Sequence, residues 1–417
     1  MSKLTPRISL ATGVALAVGM VVGSGMFGLP GLALQAAPPQ TTALAWMIGA
    51  SASVPLVWIF AILGSRYPSA GGLAHYAEVS LGPAGGRAVT AVLCGTLPIG
   101  IPALAMIGAS YALPLLGAND DALLPIAALI VLLAVLLNLA GVRTSNAING
   151  IALVLMTFAV GLLGLLDLPR TLTGVELWIH PDVSGVRIAD VWRVSAMLFW
   201  AFIGWESLSF SLEEFRDPQR TIRWVYLLSF VVVAMLYAVL AAAANGAALA
   251  GLPVDRPEGI AALVPPGWRG AFCLVILVII LANANAWVFG TSRLFFAAGD
   301  GGLLPRIVGR VDAHGLPRNA IIATGVCFAG VLALVAVLHL KLSDLVMIVS
   351  QNFLVLYLLS LLFYWRVTSG TMRWVATPLA LASSGFLLSG FDFAIVYPIA
   401  LLVLGASIRR PGFSPRP

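Results

Sequence analysis

Charge is scarce in this chain. Asp, Glu, Lys and Arg make up 10% of its 417 residues, against roughly 25% in a soluble globular domain. With 60% hydrophobic residues, that shortage excludes an ordinary soluble enzyme and a disordered chain. Cysteine is also rare. Cys94, Cys273 and Cys327 all fall inside apolar runs without CxxC spacing, so neither a disulfide framework nor a zinc site is expected. The four histidines, His75, His180, His314 and His339, sit outside the apolar runs and at no ligand spacing from Cys, Asp or Glu. No metal site is expected from them. GxxxxGK[ST], GxSxG and HExxH are all missing, which leaves direct ATP coupling and those forms of proteolysis unsupported. No cofactor is implied. The net charge of +6 comes without a basic cluster interleaved with aromatics, so nucleic acid is not an expected partner.

What the chain has in abundance is long apolar runs, at a mean hydropathy of +1.01. A membrane span takes roughly 20 apolar residues, and the apolar content is enough for about twelve. The runs are continuous, unlike the alternating segments of about 10 residues in a β-barrel. The reading is an all-α integral membrane protein with spans near 9–35, 41–63, 86–116, 122–141, 147–167, 191–212, 224–249, 268–297, 317–339, 344–365, 373–390 and 393–408. They form one transmembrane domain over 1–408, followed by a short basic tail, 409–417. The longest polar connection is 168–190. Lys3 and Arg7 precede a long, Gly/Pro-broken first run, which reads as a span and not as a cleaved signal. With the N-terminus inside, alternate loops place 17 of the 23 Lys and Arg residues on the inner side. The positive-inside bias then puts both termini in the cytoplasm.

Two spans carry breaks. The first contains Gly23-Ser24-Gly25 and then Gly28-Leu29-Pro30-Gly31; the sixth reads Phe199-Trp200-Ala201-Phe202-Ile203-Gly204-Trp205-Glu206. Spans one and six are the corresponding positions of a 5+5 inverted repeat, about 9–167 and 191–365, with two further spans over 373–408. Glycine lets the backbone leave helical geometry. The freed groups are tolerable in a bilayer only if buried in protein or lining a cavity. N–H groups at the start of a half-helix suit a carboxylate. Close helix packing is the competing explanation, because Gly19 and Gly23 also form a GxxxG. Glu206 is the one acid placed deep in a span; such a group is costly and marks a proton or gating role, or else a structural hydrogen bond. Trp200 would supply an apolar wall. The third span holds Pro98-Ile99-Gly100-Ile101-Pro102, and the eighth holds Asn283, Asn285 and Trp287. Polar amides in a span either bridge helices, the more common role, or face solute, and Trp287 reads as a cap over a cavity.

These residues resemble the amino acid–polyamine–organocation (APC) superfamily of transporters. The likeness rests on Gly23-Ser24-Gly25-Met26-Phe27, on the sixth-span run with Glu213-Glu214-Phe215-Arg216-Asp217-Pro218, on Tyr67-Pro68-Ser69-Ala70-Gly71-Gly72, and on Ser292-Arg293 with Asp300-Gly301-Gly302-Leu303-Leu304-Pro305. Within the superfamily it extends to bacterial exporters of L-methionine and branched-chain amino acids, through Phe60-Ala61-Ile62-Leu63-Gly64 and Pro98-Ile99-Gly100-Ile101-Pro102-Ala103. The resemblance implies a leucine-transporter-like fold in a bacterial inner membrane, working by alternating access. It implies that Gly23, Ser24 and Gly25 hold the substrate carboxylate. Trp200, Ala201, Ile203 and Gly204 would receive the α-ammonium and wall the site, while Glu206 and Trp287 serve gating or proton coupling. The chain departs from proton-coupled relatives that use a span-five Lys, since 147–166 has none; Glu206 becomes the candidate proton carrier. No sodium site is evident, because Thr291-Ser292 falls near the inner end of its span.

Apart from Glu206 the implied cavity is uncharged, and an unpaired ionic side chain would be costly there. Ala201, Ile203, Pro102, Met106 and Trp200 suit an apolar side chain. The expected cargo is methionine, leucine, isoleucine or valine, exported by proton antiport; the expected partners are that amino acid, protons and membrane lipid. The alternatives are an amino-acid/proton symporter (an importer) and an amine/amino-acid antiporter of the same fold. A transporter-like sensor would be expected to bring a soluble domain, and a membrane enzyme an acid/base pair or metal cluster; neither feature is visible.

Overall fold

A computed structural model describes residues 8–23, 25–68, 72–141, 146–208, 212, 215–313, 315–391 and 395–408, with the side chains of 146–150 and 152 outside that description. The described elements are helical. In order they are α1 (Leu10–Val21), α2 (Gly25–Ala36), α3 (Pro39–Arg66), α4 (Gly72–Leu81), α5 (Pro83–Leu116), α6 (Leu123–Leu139), α7 (Asn146–Leu166), α8 (Leu168–Ile179) and α9 (Ile188–Leu198). After a 3-10 turn (Phe199–Phe202) come α10 (Trp205–Leu208), α11 (Pro218–Leu249), α12 (Pro266–Asp300), α13 (Arg318–Leu338), α14 (Leu342–Val367), α15 (Thr371–Leu388) and α16 (Val396–Ser407). Proline opens α3, α5, α8, α11 and α12, where its missing N–H costs nothing and its fixed φ starts the helix.

Eight of the described helical segments are long and apolar enough to cross a membrane, and ten if α1 with α2 and α7 with α8 each count as one bent span. The sequence leads to an expectation of twelve. The difference lies at the C-terminus. α15 and α16 occupy the expected places, but α16 has only 12 residues, about 18 Å against a hydrocarbon core of about 30 Å. The polar connection 168–190 also differs, because it contains α8. That helix turns 93° from α7 and lies across α11. A Cβ on Gly174 would stand 1.9 Å from the Ala242 carbonyl oxygen, and one on Gly246 1.8 Å from that of Arg170. The Trp178 indole N–H donates to the Ala43 carbonyl at 2.8 Å, which pins α8 to α3.

α5 and α14 are central, with 72% of their apolar windows buried, whereas α13 buries 28% and turns the rest outward. α2 is covered on every side from Gly25 to Ala33, as befits a half-helix in the middle of the bundle. Its middle is fixed by the loop before α12. A Cβ on Gly31 would lie 1.7 Å from the Arg256 carbonyl oxygen, so only glycine admits that approach. Burial in the same loop pushes the Glu258 carboxyl above its ordinary range, while Arg256 and a hydrogen bond from Ser110 act in the opposite direction.

Candidate functional site

The two helix breaks meet. α1 ends where the Gly23 N–H turns back to the Val21 carbonyl at 2.8 Å, and the Met26 N–H donates to the Gly23 carbonyl at 3.1 Å. α2 then leaves at 44°. The first N–H groups of a helix have no partner within it, and its N-terminal end carries positive potential. In the other break, the 3-10 turn ends in extended Ile203 (φ −99°, ψ 155°), and Gly204 follows at φ +117°, a backbone region that side chains disfavour. A Cβ on Gly204 would stand 3.1 Å from the Met20 carbonyl oxygen and from the Val21 Cα. The break around Gly204 therefore rests against the end of α1.

Between them lies a cavity of about 70 Å³. Gly23, Gly25, Trp200, Ile203 and Gly204 form one side, and α5 supplies Thr96, Leu97, Gly100, Ile101 and Leu104. Tyr237 of α11, Asn283 and Trp287 of α12, and Val349 and Phe353 of α14 complete it with Met20 and Val21. No charged side chain is among these residues. Trp200 closes over the start of α2, where its indole nitrogen would be 3.1 Å from a Cβ on Gly25.

Six of the residues expected to bind substrate or gate the site thus come together: Gly23, Gly25, Trp200, Ile203, Gly204 and Trp287. Ser24 lies outside the described residues. Ala201 is fully buried but does not line the cavity, nor do Pro102 and Met106. The 3-10 geometry explains Ala201. At three residues per turn, positions i and i+3 eclipse, so Trp200 and Ile203 share a face from which Ala201 points away. Glu206 also stands outside the lining, at 5% exposure. Its Oε2 accepts from the Tyr357 hydroxyl at 2.8 Å and from the Gly204 N–H at 3.2 Å; its Oε1 lies 3.4 Å from the Ser207 hydroxyl. The carboxyl thereby ties the broken backbone to α14. Of the Thr291-Ser292 pair, Ser292 donates to the Phe289 carbonyl at 2.9 Å and accepts from Arg293 at 2.9 Å, and neither residue lines the cavity.

The two amides of α12 divide. Asn285 is the glue: the Asn138 amide of α6 donates to its side-chain oxygen at 2.7 Å and to its carbonyl at 3.0 Å. Asn283 lines the cavity, and its side-chain oxygen is buried without a hydrogen-bond partner. An unpaired buried acceptor is costly. Thr96 and Tyr237 are lining residues that the sequence reading did not single out. Their only signal is polarity inside an apolar run. Thr96 donates to the Val92 carbonyl at 2.6 Å and accepts from Asn352 at 3.0 Å.

Comparison with known proteins follows the same lines. The family model described as amino acid permease matches residues 8–408. The chain is 25% identical over 410 residues to an uncharacterized amino acid permease of Bacillus subtilis, covering 97% of this chain and 95% of that protein. It is 25% identical over 397 residues to the L-methionine/branched-chain amino acid exporter of Escherichia coli, covering 90% of each. An arginine/ornithine antiporter of Pseudomonas aeruginosa is 25% identical over 346 residues, 77% of this chain and 69% of that protein.

Proposed function

We propose a function from one premise: the chain belongs to the amino acid permease family. It is then a multi-pass membrane protein of amino acid transport, and the finer reading is export of neutral, apolar L-amino acids across a bacterial inner membrane. The observation that carries this reading is the uncharged cavity held between two facing helix breaks. A zwitterion's two charges need partners in such a place, and backbone groups can provide them. The carboxylate is received at the Gly23-Ser24-Gly25 break by N–H groups at the start of α2. The α-ammonium is received by backbone carbonyls of the break from Trp200 to Gly204 and by the Asn283 side-chain oxygen. The side chain lies toward Leu97, Ile101, Val349 and Phe353. A cationic cargo would need a carboxylate in the lining, and Glu206 is turned instead to Tyr357 and Gly204.

Direction and coupling rest on the relatives and on Glu206. The Escherichia coli relative is an exporter of methionine and branched-chain amino acids, and we carry that cargo and direction to this chain. Glu206 takes up and releases the coupled proton. Because it bonds both the Gly204 N–H and Tyr357, each change of charge alters the tie between the broken segment and α14. Alternating access then proceeds as movement of the half-helices in a twelve-span, 5+5 arrangement with cytoplasmic termini.

The test is counterflow in liposomes loaded with unlabelled leucine, with labelled methionine outside. Transient accumulation, increased by a pH gradient of one sign, supports the reading. No accumulation with folded protein and an active control overturns the apolar cargo. Accumulation indifferent to pH overturns the proton antiport.

A further inference from the structure

The turn between α14 and α15 carries a concentration of cations that the transport site does not use. α14 ends at Val367 and α15 begins at Thr371. Arg66, the last residue of α3, donates to the Val367 carbonyl at 3.4 Å. Arg373 donates to the next carbonyl, that of Thr368, at 3.3 Å. Two guanidinium groups therefore grip one turn, and Arg366 stands exposed beside it. Among the described residues none of the three forms an ion pair. Arg318, by contrast, pairs with Asp312 at 3.9 Å.

The aromatics around this turn narrow the ligand. The Arg373 guanidinium lies 3.6 Å above the Trp365 ring and 5.8 Å from that of Trp374. The two indoles meet edge to face, 4.9 Å apart at 87°. Cation–π contact of this kind fixes the orientation of the guanidinium. Trp374 is nonetheless 65% exposed, and the Arg373 Nε is covered but meets no acceptor. Each guanidinium has five N–H donors, most of them uncommitted here. Planar donors of this kind match phosphate oxygens, and exposed indoles at a span's end belong at the headgroup level of a bilayer.

We propose that Arg66, Arg366 and Arg373, framed by Trp365 and Trp374, form a binding site for the phosphate of an anionic phospholipid at the inner membrane surface. The lipid phosphodiester, with one negative charge, offsets part of the charge of the three guanidinium groups, and its glycerol and upper acyl carbons lie along Trp374. Because Arg66 ends α3 and Arg373 lies in the first turn of α15, the bound lipid joins the ends of α3, α14 and α15.

Native mass spectrometry of the full chain, with equal phosphatidylglycerol and phosphatidylcholine in the detergent, tests this. The wild type should retain phosphatidylglycerol in preference, by about tenfold or more. R66Q and R366Q should each lower that preference by about fivefold, the usual effect of one interfacial cation. The pair R66K/R366K should keep most of it, and R310Q, an exposed cation on the same side, should leave it unchanged. Equal retention of the two lipids by the wild type, or an unchanged preference in R66Q/R366Q, overturns the proposal. Displacement of the lipid by excess inorganic phosphate overturns the lipid in favour of a free anion. If R66Q/R366Q does not fold, quenching decides. Brominated phosphatidylglycerol should quench tryptophan emission of the wild type more than brominated phosphatidylcholine does. That difference should vanish in W365F/W374F, and its persistence there overturns the site.

Discussion

Two bends in this chain look alike on paper and serve different ends. The α7/α8 bend turns 93° at Asp167 and the α1/α2 bend 44° near Gly23. At the first, Asp167 accepts from the Arg170 N–H at 3.4 Å, its carbonyl accepts from the Thr171 hydroxyl at 3.1 Å, and its carboxylate pairs with the Arg170 side chain. The freed backbone groups are consumed locally, at an exposed edge. At the second, the chain turns through glycines in the core, and the opposing break presses on it at Gly204. Helix breaking alone does not make a site. What makes one is a break whose polar groups are left facing an enclosed space.

That contrast can be broken experimentally. The largest effect is expected at Gly204. G204V meets both a forbidden φ and the Met20 carbonyl, and it should lower transport by about a hundredfold or more, whereas D167A should leave turnover within about twofold. D167A instead costs about 1 kcal/mol of stability through the lost cap, read as a lower melting temperature. Equal loss of transport in both variants would erase the distinction between the bends. Next comes E206Q, which should reduce pH-driven flux by about tenfold while leaving exchange within about threefold; equal loss of both would confine Glu206 to a structural role.

The α12 amides sharpen the comparison within a single helix. N283L should weaken substrate binding by about tenfold with little change in melting temperature. N285L should cost about 1 kcal/mol of stability by removing the side-chain acceptor of the Asn138 amide and leave substrate KM unchanged. Substrate titration and thermal melts of both variants distinguish them. The smallest effect concerns Glu258. Its carboxyl binds protons more tightly in the folded state, so it opposes folding increasingly as pH rises from the ordinary carboxylate range through its raised value. E258Q should raise the melting temperature by about 1–2 °C at pH 7 and have no effect near pH 4. A rise of equal size at both pH values would rule out titration as the cause.

Much of this arrangement is legible in the residues. Long apolar runs mark most spans, and glycine where no helix wants it marks both breaks. The physics behind these signals is local. α8 escapes because hydropathy averages over a helix with one apolar and one polar face. α16 is overestimated because composition reports apolarity but not where a helix ends. Thr96 and Tyr237 escape for another reason. Which side of a buried helix meets a cavity is set by how neighbouring helices rotate against it, and no run of residues records that. Ala201 is not told apart from its neighbours in the sequence, because the break residues look equivalent until the three-residue period of the turn separates them.

The missing side chain at Gly31 has a mechanical consequence. With the Arg256 carbonyl occupying the space of a Cβ, α2 and the loop before α12 have no slack between them. Tilting one drags the other as a single lever. The tip of that loop is therefore a natural place for a spectroscopic label. A probe on Asp255 would register movement of α2 from outside the cavity.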